Sequence, residues 1–249
     1  MPQKLKLISQ GAEAKIFLDK NKNIILKDRV KKSYRIPELD EKIRKQRTKS
    51  EMKLLIKANN IINTPQVLDS ENVNSKYLFK LQYINGKKLS EHLNTLQLPK
   101  QKQILRQIGQ DTAKLHDINI IHGDLTTSNM ILVKKNPASQ INKTLINNET
   151  INIINKSDSS LLTISHQSTN KVSSNLKVYF IDFGLGFISN RIEDKAVDIH
   201  LLKQALEARH FKNWEVLFSE FIKGYKNSKD SKKILQQLDS VEKRRRYKH

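Results

Sequence analysis

Two short segments constrain this chain more than anything else in it. One is Ile120-Ile121-His122-Gly123-Asp124-Leu125-Thr126-Thr127-Ser128-Asn129, and the other is Phe180-Ile181-Asp182-Phe183-Gly184. In the first, an aspartate is followed five residues later by an asparagine; in the second, an aspartate after an apolar run precedes Phe-Gly. Phosphoryl transfer asks a protein for an oxygen that orients the attacking group, and for hard ligands that hold a divalent cation on the nucleotide phosphates. Asp124, Asn129 and Asp182 supply those groups at the spacing such a site requires. A simple turn built by Asp124 and Asn129 would leave the strand-like Ile-Ile and Met-Ile-Leu flanks and the later Asp-Phe-Gly without a reason.

The rest of the chain is organised to suit such a site. Its 249 residues are long for one small domain and fit one large domain or two lobes. Apolar residues cluster over 4–9 and 15–30 around Gly11 and a turn at Asn21 to Asn23, which predicts strand, tight loop, strand, turn, strand. Pro37 then opens a helix on which Ile43, Arg47, Glu51, Leu54, Leu55 and Ala58 share a face. Two further strands are expected over 66–69 and 77–84, and Asn85-Gly86 marks a break. From Ser90 the pattern is mostly helical, with Ile104, Leu105, Ile108, Thr112 and Leu115 on one stripe, and three more helices are expected around 194–208, 214–225 and 230–241. The predicted fold is therefore α+β and bilobal, protein-kinase-like. Residues 1–84 form a small N-terminal sheet lobe with one main helix, and 85–249 a mostly helical C-terminal lobe. Residues 134–176 have no Phe, Tyr or Trp and no glycine, and their Asn- and Ser-rich composition, which cannot bury enough surface to fold alone, predicts a disordered insertion. Residues 243–249 form a basic tail.

Each polar residue can be given a task. Asp124 is expected to orient the acceptor and take its proton, and Asn129 and Asp182 to hold Mg²⁺ with phosphates and waters. Lys27 ends the apolar run Ile24-Ile25-Leu26, where a kinase places the ammonium that contacts ATP phosphates. Glu51, on the inward face of its helix, is its expected partner, because a buried carboxylate is costly unless paired. Asp198 either braces the Asp124 loop by accepting backbone donors or is a plain helix N-terminal carboxylate. Gly11, Ala12 and Glu13 lie where a phosphate-covering loop belongs, although a single glycine there makes the glycine pattern uninformative. Adenine is expected against Gln82, Tyr83 and Ile84, held mainly by backbone groups. Gly123 stands where protein kinases usually carry arginine, and the short span between Asp182 and Asp198 lacks Ala-Pro-Glu. Both omissions predict a site assembled constitutively, without control by activation-loop phosphorylation.

Composition narrows the setting. A net charge of +21, from 46 Lys and Arg against 25 Asp and Glu, predicts either a polyanionic partner such as RNA or DNA, or drift in a Lys/Asn/Ile-rich proteome. Without cysteine there are no disulfides and no Cys-containing zinc sites. No apolar run approaches a membrane span, and the N-terminus has no long apolar stretch, so the expected place is the cytoplasm, the nucleus or both, with no membrane.

The combination of motifs is similar to the p53-related protein kinase family, the small atypical kinase subunit of the KEOPS (EKC) complex. The matching residues are Gly11-Ala12-Glu13-Ala14; Lys27-Asp28-Arg29; Lys32, Tyr34-Arg35, Pro37 and Leu39-Asp40; Arg47-Thr48 and Glu51; the run from His122 to Asn129; Asp182-Phe183-Gly184-Leu185; and Glu193-Asp194-Lys195 with Val197-Asp198. The stretch from Tyr34 to Glu51 and the Thr-Thr-Ser are specific to that family rather than to kinases at large. The resemblance implies ATP and Mg²⁺ binding, an ATPase or Ser/Thr kinase activity, and a part in making threonylcarbamoyladenosine in tRNA. It also implies partnership with the threonylcarbamoyl transferase subunit and other KEOPS proteins. The sequence departs from the family in the length of its 134–176 insertion and in a tail of Lys-Arg-Arg-Arg type. Competing readings are a small-molecule phosphotransferase of the aminoglycoside or choline kinase type, and a catalytically silent basic scaffold that binds tRNA or partners.

Overall fold

The computed structural model describes residues 5–69, 77–134 and 176–246. Its first part is an antiparallel sheet with strand order β1-β2-β3-β5-β4, built from β1 (Lys6–Gln10), β2 (Ala14–Asp19), β3 (Ile24–Arg29), β4 (Val67–Asp69) and β5 (Leu78–Gln82). The β2–β3 turn forms where Asp19 Oδ1 accepts the backbone N–H groups of Asn21 and Lys22 at 3.1 and 3.2 Å, and Asn23 takes φ of 52°. Asparagine is among the few residues that tolerate this conformation. Register in β3 places Lys27 opposite Ile16 on one side and Phe79 on the other, so the lysine is held by central strands rather than at an edge.

One long helix, α1 (Pro37–Asn59), packs against this sheet. Proline at its first turn costs no hydrogen bond, since that N–H has no intrahelical partner. Glu51, Leu54, Leu55 and Ala58 are buried, as the helical face predicts; Ile43 and Arg47, toward the start of the same face, are only half-buried. Asp40 and Thr48 are also buried. Asp40 accepts from Arg44 at 2.6 Å, which accounts for a carboxylate so deep in the first turns.

The second part begins with β6 (Lys87–Lys88), α2 (Leu89–His92) and α3 (Leu98–Asp117). It continues through β7 (Ile120–Ile121), β8 (Met130–Lys134), β9 (Leu176–Phe180) and β10 (Phe187–Ile188), and closes with α4 (Ile192–Arg209), α5 (Trp214–Tyr225) and α6 (Ser231–Arg246). The α3 stripe of Ile104, Leu105, Ile108, Thr112 and Leu115 is wholly buried, and Phe221 and Tyr225 of α5 are buried in the same core. Burial of each large apolar side chain there is worth roughly 1.5 to 3 kcal/mol, and an alanine at Phe221 would cost about 3 to 5 kcal/mol. This is the α+β, bilobal kinase-like arrangement that the sequence predicts.

Two boundaries differ from expectation. Lys134 and Leu176 are not in an insertion: they pair directly as the last and first residues of β8 and β9. The remainder of the expected insertion lies outside the described residues. The basic tail is not separate from the last helix either, because α6 continues to Arg246. Its Arg244 bonds Glu193 of α4 at 2.8 Å, and residues 247–249 lie outside the described residues. Among the described residues no helix is long and apolar enough to cross a membrane.

Candidate active site

Strand β3 and helix α1 deliver opposite charges to one buried point. Lys27 Nζ lies 2.6 Å from Glu51 Oε1 and 2.6 Å from Asp182 Oδ1, while Arg29 Nη2 lies 2.5 Å from Glu51 Oε2. Burial works against the charge on Lys27, yet Glu51 and Asp182 together hold its pKa above the ordinary value. Burial also pushes the Glu51 carboxyl up, opposed by the two cations. Since each of its oxygens receives a cationic donor, the ionised carboxylate is the form this geometry serves. Burial pushes the Asp182 carboxyl up, but the Lys27 charge and the hydrogen bonds from Lys27 and the Gly184 N–H together hold it below the usual carboxylate range. Arg29 was not singled out from the sequence as a site residue, although it stands two positions after Lys27 and so leaves the strand on the same face.

The Asp124 loop is fixed from several sides. Asp198 of α4, 1% exposed, accepts the backbone N–H of His122 at 2.8 Å and of Gly123 at 3.0 Å. Of the two alternatives for Asp198, the structure thus places it as the loop's acceptor. His122 Nε2 donates to the Ile181 carbonyl at 3.1 Å, its ring lies 4.6 Å from that of Phe183, and Ile181 N donates to the Asn129 carbonyl at 2.9 Å. The two diagnostic segments are therefore one unit. Gly123 has φ of 77°, and a side chain there would collide with the Leu185 carbonyl, so glycine is required by both conformation and space. Asp182 itself has φ of 61°, a conformation that non-glycine residues hold only when their surroundings enforce it.

Asn129 donates its side-chain amide to the Asp124 carbonyl at 3.0 Å and to Asp124 Oδ2 at 2.8 Å. Its Oδ1 is left without a donor among the described residues, as is Asp182 Oδ2, because Lys27 and Gly184 N both bond Oδ1. Two hard oxygens of this kind suit Mg²⁺ that takes its remaining ligands from phosphates and water. Among the described residues there is no group of three His, Cys, Asp or Glu able to hold a metal.

Two adjoining cavities flank Lys27. One, of about 370 Å³, is lined by Ile16, Ile25 and Leu81, by Gln82, Tyr83 and Ile84, and by Asn129 and Asp182. The other, of about 260 Å³, lies under the loop carrying Gly11, Ala12 and Glu13 and reaches Lys27, Arg29, Asp124 and Asp182. Ile16, Ile25, Leu55, Leu81 and Ile84 give the first an apolar wall suited to a purine ring, and Lys27 and Asp182 line both. The connector offers less than expected: Gln82 N–H bonds the Gln66 carbonyl at 2.9 Å and Tyr83 N–H the Asn23 carbonyl at 3.0 Å. Only the Ile84 N–H lacks an acceptor among the described residues. In the loop above, Gly11 N–H closes a turn onto the Ala14 carbonyl at 3.0 Å, Lys32 holds the Ala12 carbonyl, and the Glu13 carboxylate turns to Arg47 of α1 at 2.8 Å. These ties steady the loop without the usual glycines.

A further group, beneath the loop that carries Asp124, had no sequence signal. His210, 1% exposed, bonds Asn94 Oδ1 through Nδ1 at 2.7 Å and the Thr127 hydroxyl through Nε2 at 3.1 Å. Because the Asn94 oxygen only accepts, Nδ1 carries the proton and Nε2 accepts from Thr127, so the neutral ring fills both contacts. Burial, with Arg209 beside it, depresses its pKa from 6.5 to about 4. A histidine depressed on folding contributes stability that is full above the unfolded value and is lost as pH falls toward the folded one. Lowering the pH from about 7.5 to about 5 is expected to cost the wild type on the order of 2 kcal/mol more than His210→Gln. Urea midpoints at the two pH values check this, and equal losses in both proteins would refute it.

A kinase-type fold with these groups around two adjoining cavities defines an ATP-dependent phosphotransferase. No family model matches the chain. The chain is 36% identical over 98% of its length to the KEOPS complex subunit Bud32 of Pyrococcus abyssi, covering 96% of that protein. It is 32% identical over 95% of its length to a probable serine/threonine-protein kinase BUD32 homolog of Archaeoglobus fulgidus, covering 92% of it. A probable bifunctional tRNA threonylcarbamoyladenosine biosynthesis protein of Methanobrevibacter smithii is 34% identical over 98% of the chain, which spans only 37% of that longer protein. Among solved structures, WaaP in complex with acyl carrier protein aligns with a TM-score of 0.55 over 97% of this chain and 89% of that one, at 8% identity, a likeness of fold alone. The chain belongs to the Bud32 family.

Proposed function

We propose that the protein is a Mg²⁺-ATP-dependent atypical Ser/Thr kinase or ATPase that works as a subunit of a KEOPS assembly in tRNA threonylcarbamoyladenosine formation. The observation that carries the chemistry is the convergence of Lys27, Glu51, Asp182, Asn129 and Asp124 on two adjoining cavities. In this reading residues 1–84 and 85–249 are the two lobes, with adenine between them at Gln82, Tyr83 and Ile84. The loop at Gly11, Ala12 and Glu13 covers the phosphates. Lys27 contacts their oxygens, Glu51 fixes Lys27, and Asp182 with Asn129 holds Mg²⁺. Asp124 Oδ1, which has no donor among the described residues, orients the acceptor hydroxyl or water and takes its proton as the acceptor oxygen bonds to the γ-phosphorus and the bond from that phosphorus to the β–γ bridging oxygen breaks, releasing ADP. Mg²⁺ would neutralise charge on the phosphates as it builds.

The partner reading rests on the relatives' names and on one arrangement among them. In the Methanobrevibacter smithii protein the homologous region is joined to a longer chain named for threonylcarbamoyladenosine biosynthesis, which supports a lasting association with the threonylcarbamoyl transferase subunit. The net charge of +21 supports contact with tRNA, which would weaken steeply with salt. The relatives place this above a small-molecule phosphotransferase. This reading keeps the protein in the cytoplasm or nucleus.

The deciding experiment is ATP hydrolysis by the chain alone, with the transferase partner, and with partner and tRNA, using Asp124→Ala as control. Stimulated turnover that vanishes in the variant is the expected result. A folded protein with no turnover in any combination would leave a basic scaffold as the better description.

A further inference from the structure

Strand β3 presents two cations to one carboxylate, and their surroundings differ. Lys27 divides itself between Glu51 and Asp182, whereas Arg29, with a side chain 3% exposed, meets Glu51 alone among the described carboxylates. The Arg29–Glu51 pair is wedged against the turn after Asp182: a methyl group added at Gly184 would meet Asp182 Oδ1 at 2.9 Å, Arg29 Nη2 at 3.3 Å and Glu51 Oε2 at 3.5 Å. Arg29 also lines the cavity beneath the phosphate loop, and its Nε is buried without a hydrogen-bond partner.

A lone lysine would make the seat of α1 depend on where that lysine points. Once its ammonium turned toward phosphates, Glu51 would lose part of its only compensation, and an unpaired buried carboxylate favours any motion that returns it to water. A guanidinium on the other oxygen removes that dependence, because it stays charged at any relevant pH and is held in a planar geometry. We propose that Arg29 is a positioning residue that anchors Glu51, and with it α1, whether or not nucleotide is bound, leaving Lys27 free to serve the phosphates. The inference rests on the assignment of Lys27 to the phosphates made above. It gives a physical basis for a site that is assembled before its nucleotide arrives.

The test is amide hydrogen exchange of α1 in the full chain with and without Mg²⁺-ADP, for the wild type, Arg29→Gln and Arg29→Lys, together with ATP kinetics. In the wild type, α1 amides around Glu51 should exchange at the same rate in both conditions. In Arg29→Gln they should exchange about tenfold faster without nucleotide and slow again with it, and KM for ATP should rise about tenfold, more than kcat falls, because only a fraction of molecules then holds the competent state. Arg29→Lys should fall between the two. Exchange in Arg29→Gln that matches the wild type, or wild-type exchange that slows when nucleotide binds, would overturn the proposal. A purely structural arginine would lower the melting temperature without creating this nucleotide dependence. If Arg29→Gln does not fold, Arg29→Lys decides by the same criteria. Lys27→Met separates the two assignments: nucleotide binding as tight as wild type would sink the Lys27 role, while nucleotide-free exchange in the Arg29 variants still reports on the anchor.

Discussion

Asp124→Ala is expected to lower ATP turnover by about 10²- to 10⁴-fold, the usual cost of a positioned general base, with nucleotide affinity unchanged. Asp182→Ala should instead weaken Mg²⁺-ATP binding by at least about tenfold, since even an indirect partner of a metal ligand is commonly worth that much. The two roles are separable because of how Asn129 is held. Its amide bonds both Asp124 Oδ2 and the Asp124 main-chain carbonyl, and the second bond survives loss of the side chain. Asn129 can then keep its oxygen toward the cation in Asp124→Ala. Asp182 has no such substitute: its Oδ1 bonds Lys27 and Gly184 N, so its removal leaves Lys27 with Glu51 alone and releases the turn, together with the oxygen proposed to hold the cation. Calorimetric binding of Mg²⁺-ATP alongside steady-state turnover distinguishes the variants, and an equal loss of binding in both would refute the division of labour.

Which of these groups meet was largely legible in the sequence, for local reasons. Asp124 and Asn129 share one loop, Asp182 directly follows a strand, and the phase of α1 places Glu51 inward; each depends on spacing of a few residues. What spacing could not carry is pairing across the fold. Glu13 belongs to the phosphate loop by position, yet its carboxylate goes to Arg47 because α1 runs alongside. His210 meets Asn94 and Thr127 from segments far apart in the chain, and no periodicity links them. Arg29 was within reach, since alternate residues of a strand share a face, but a chain with 46 Lys and Arg offers too many cations for residue type to single one out. Composition sets the boundary of the 134–176 segment, and composition does not show that Lys134 and Leu176 face each other as strand partners.

Asp198→Ala is expected to be the most damaging change outside the two cavities, because that carboxylate is the meeting point of three donors. His122 N–H and Gly123 N–H lose their acceptor, and His116 Nε2, 3.3 Å away, loses its partner. His116 is in turn fixed by Tyr225, whose hydroxyl lies 2.7 Å from Nδ1 and whose pKa burial pushes up, so the phenol keeps its proton and donates. A line of hydrogen bonds thus runs from α5 through α3 and α4 to the backbone just before Asp124. Each buried donor left unsatisfied costs about 1 to 3 kcal/mol, so the variant should lose roughly 3 to 5 kcal/mol and melt on the order of 10 °C lower. Turnover, measured well below that melting point, should fall by about 10²-fold, because a small displacement of an aligned group is enough for such a loss. Asp198→Asn keeps one acceptor oxygen but turns an NH₂ toward the other backbone N–H, so it should recover only part of the stability and less of the activity. Its ranking matters as much as the size of the effect. If Asp198→Ala melts lower but turns over ATP like the wild type once folded, the carboxylate stabilises the fold without positioning the Asp124 loop.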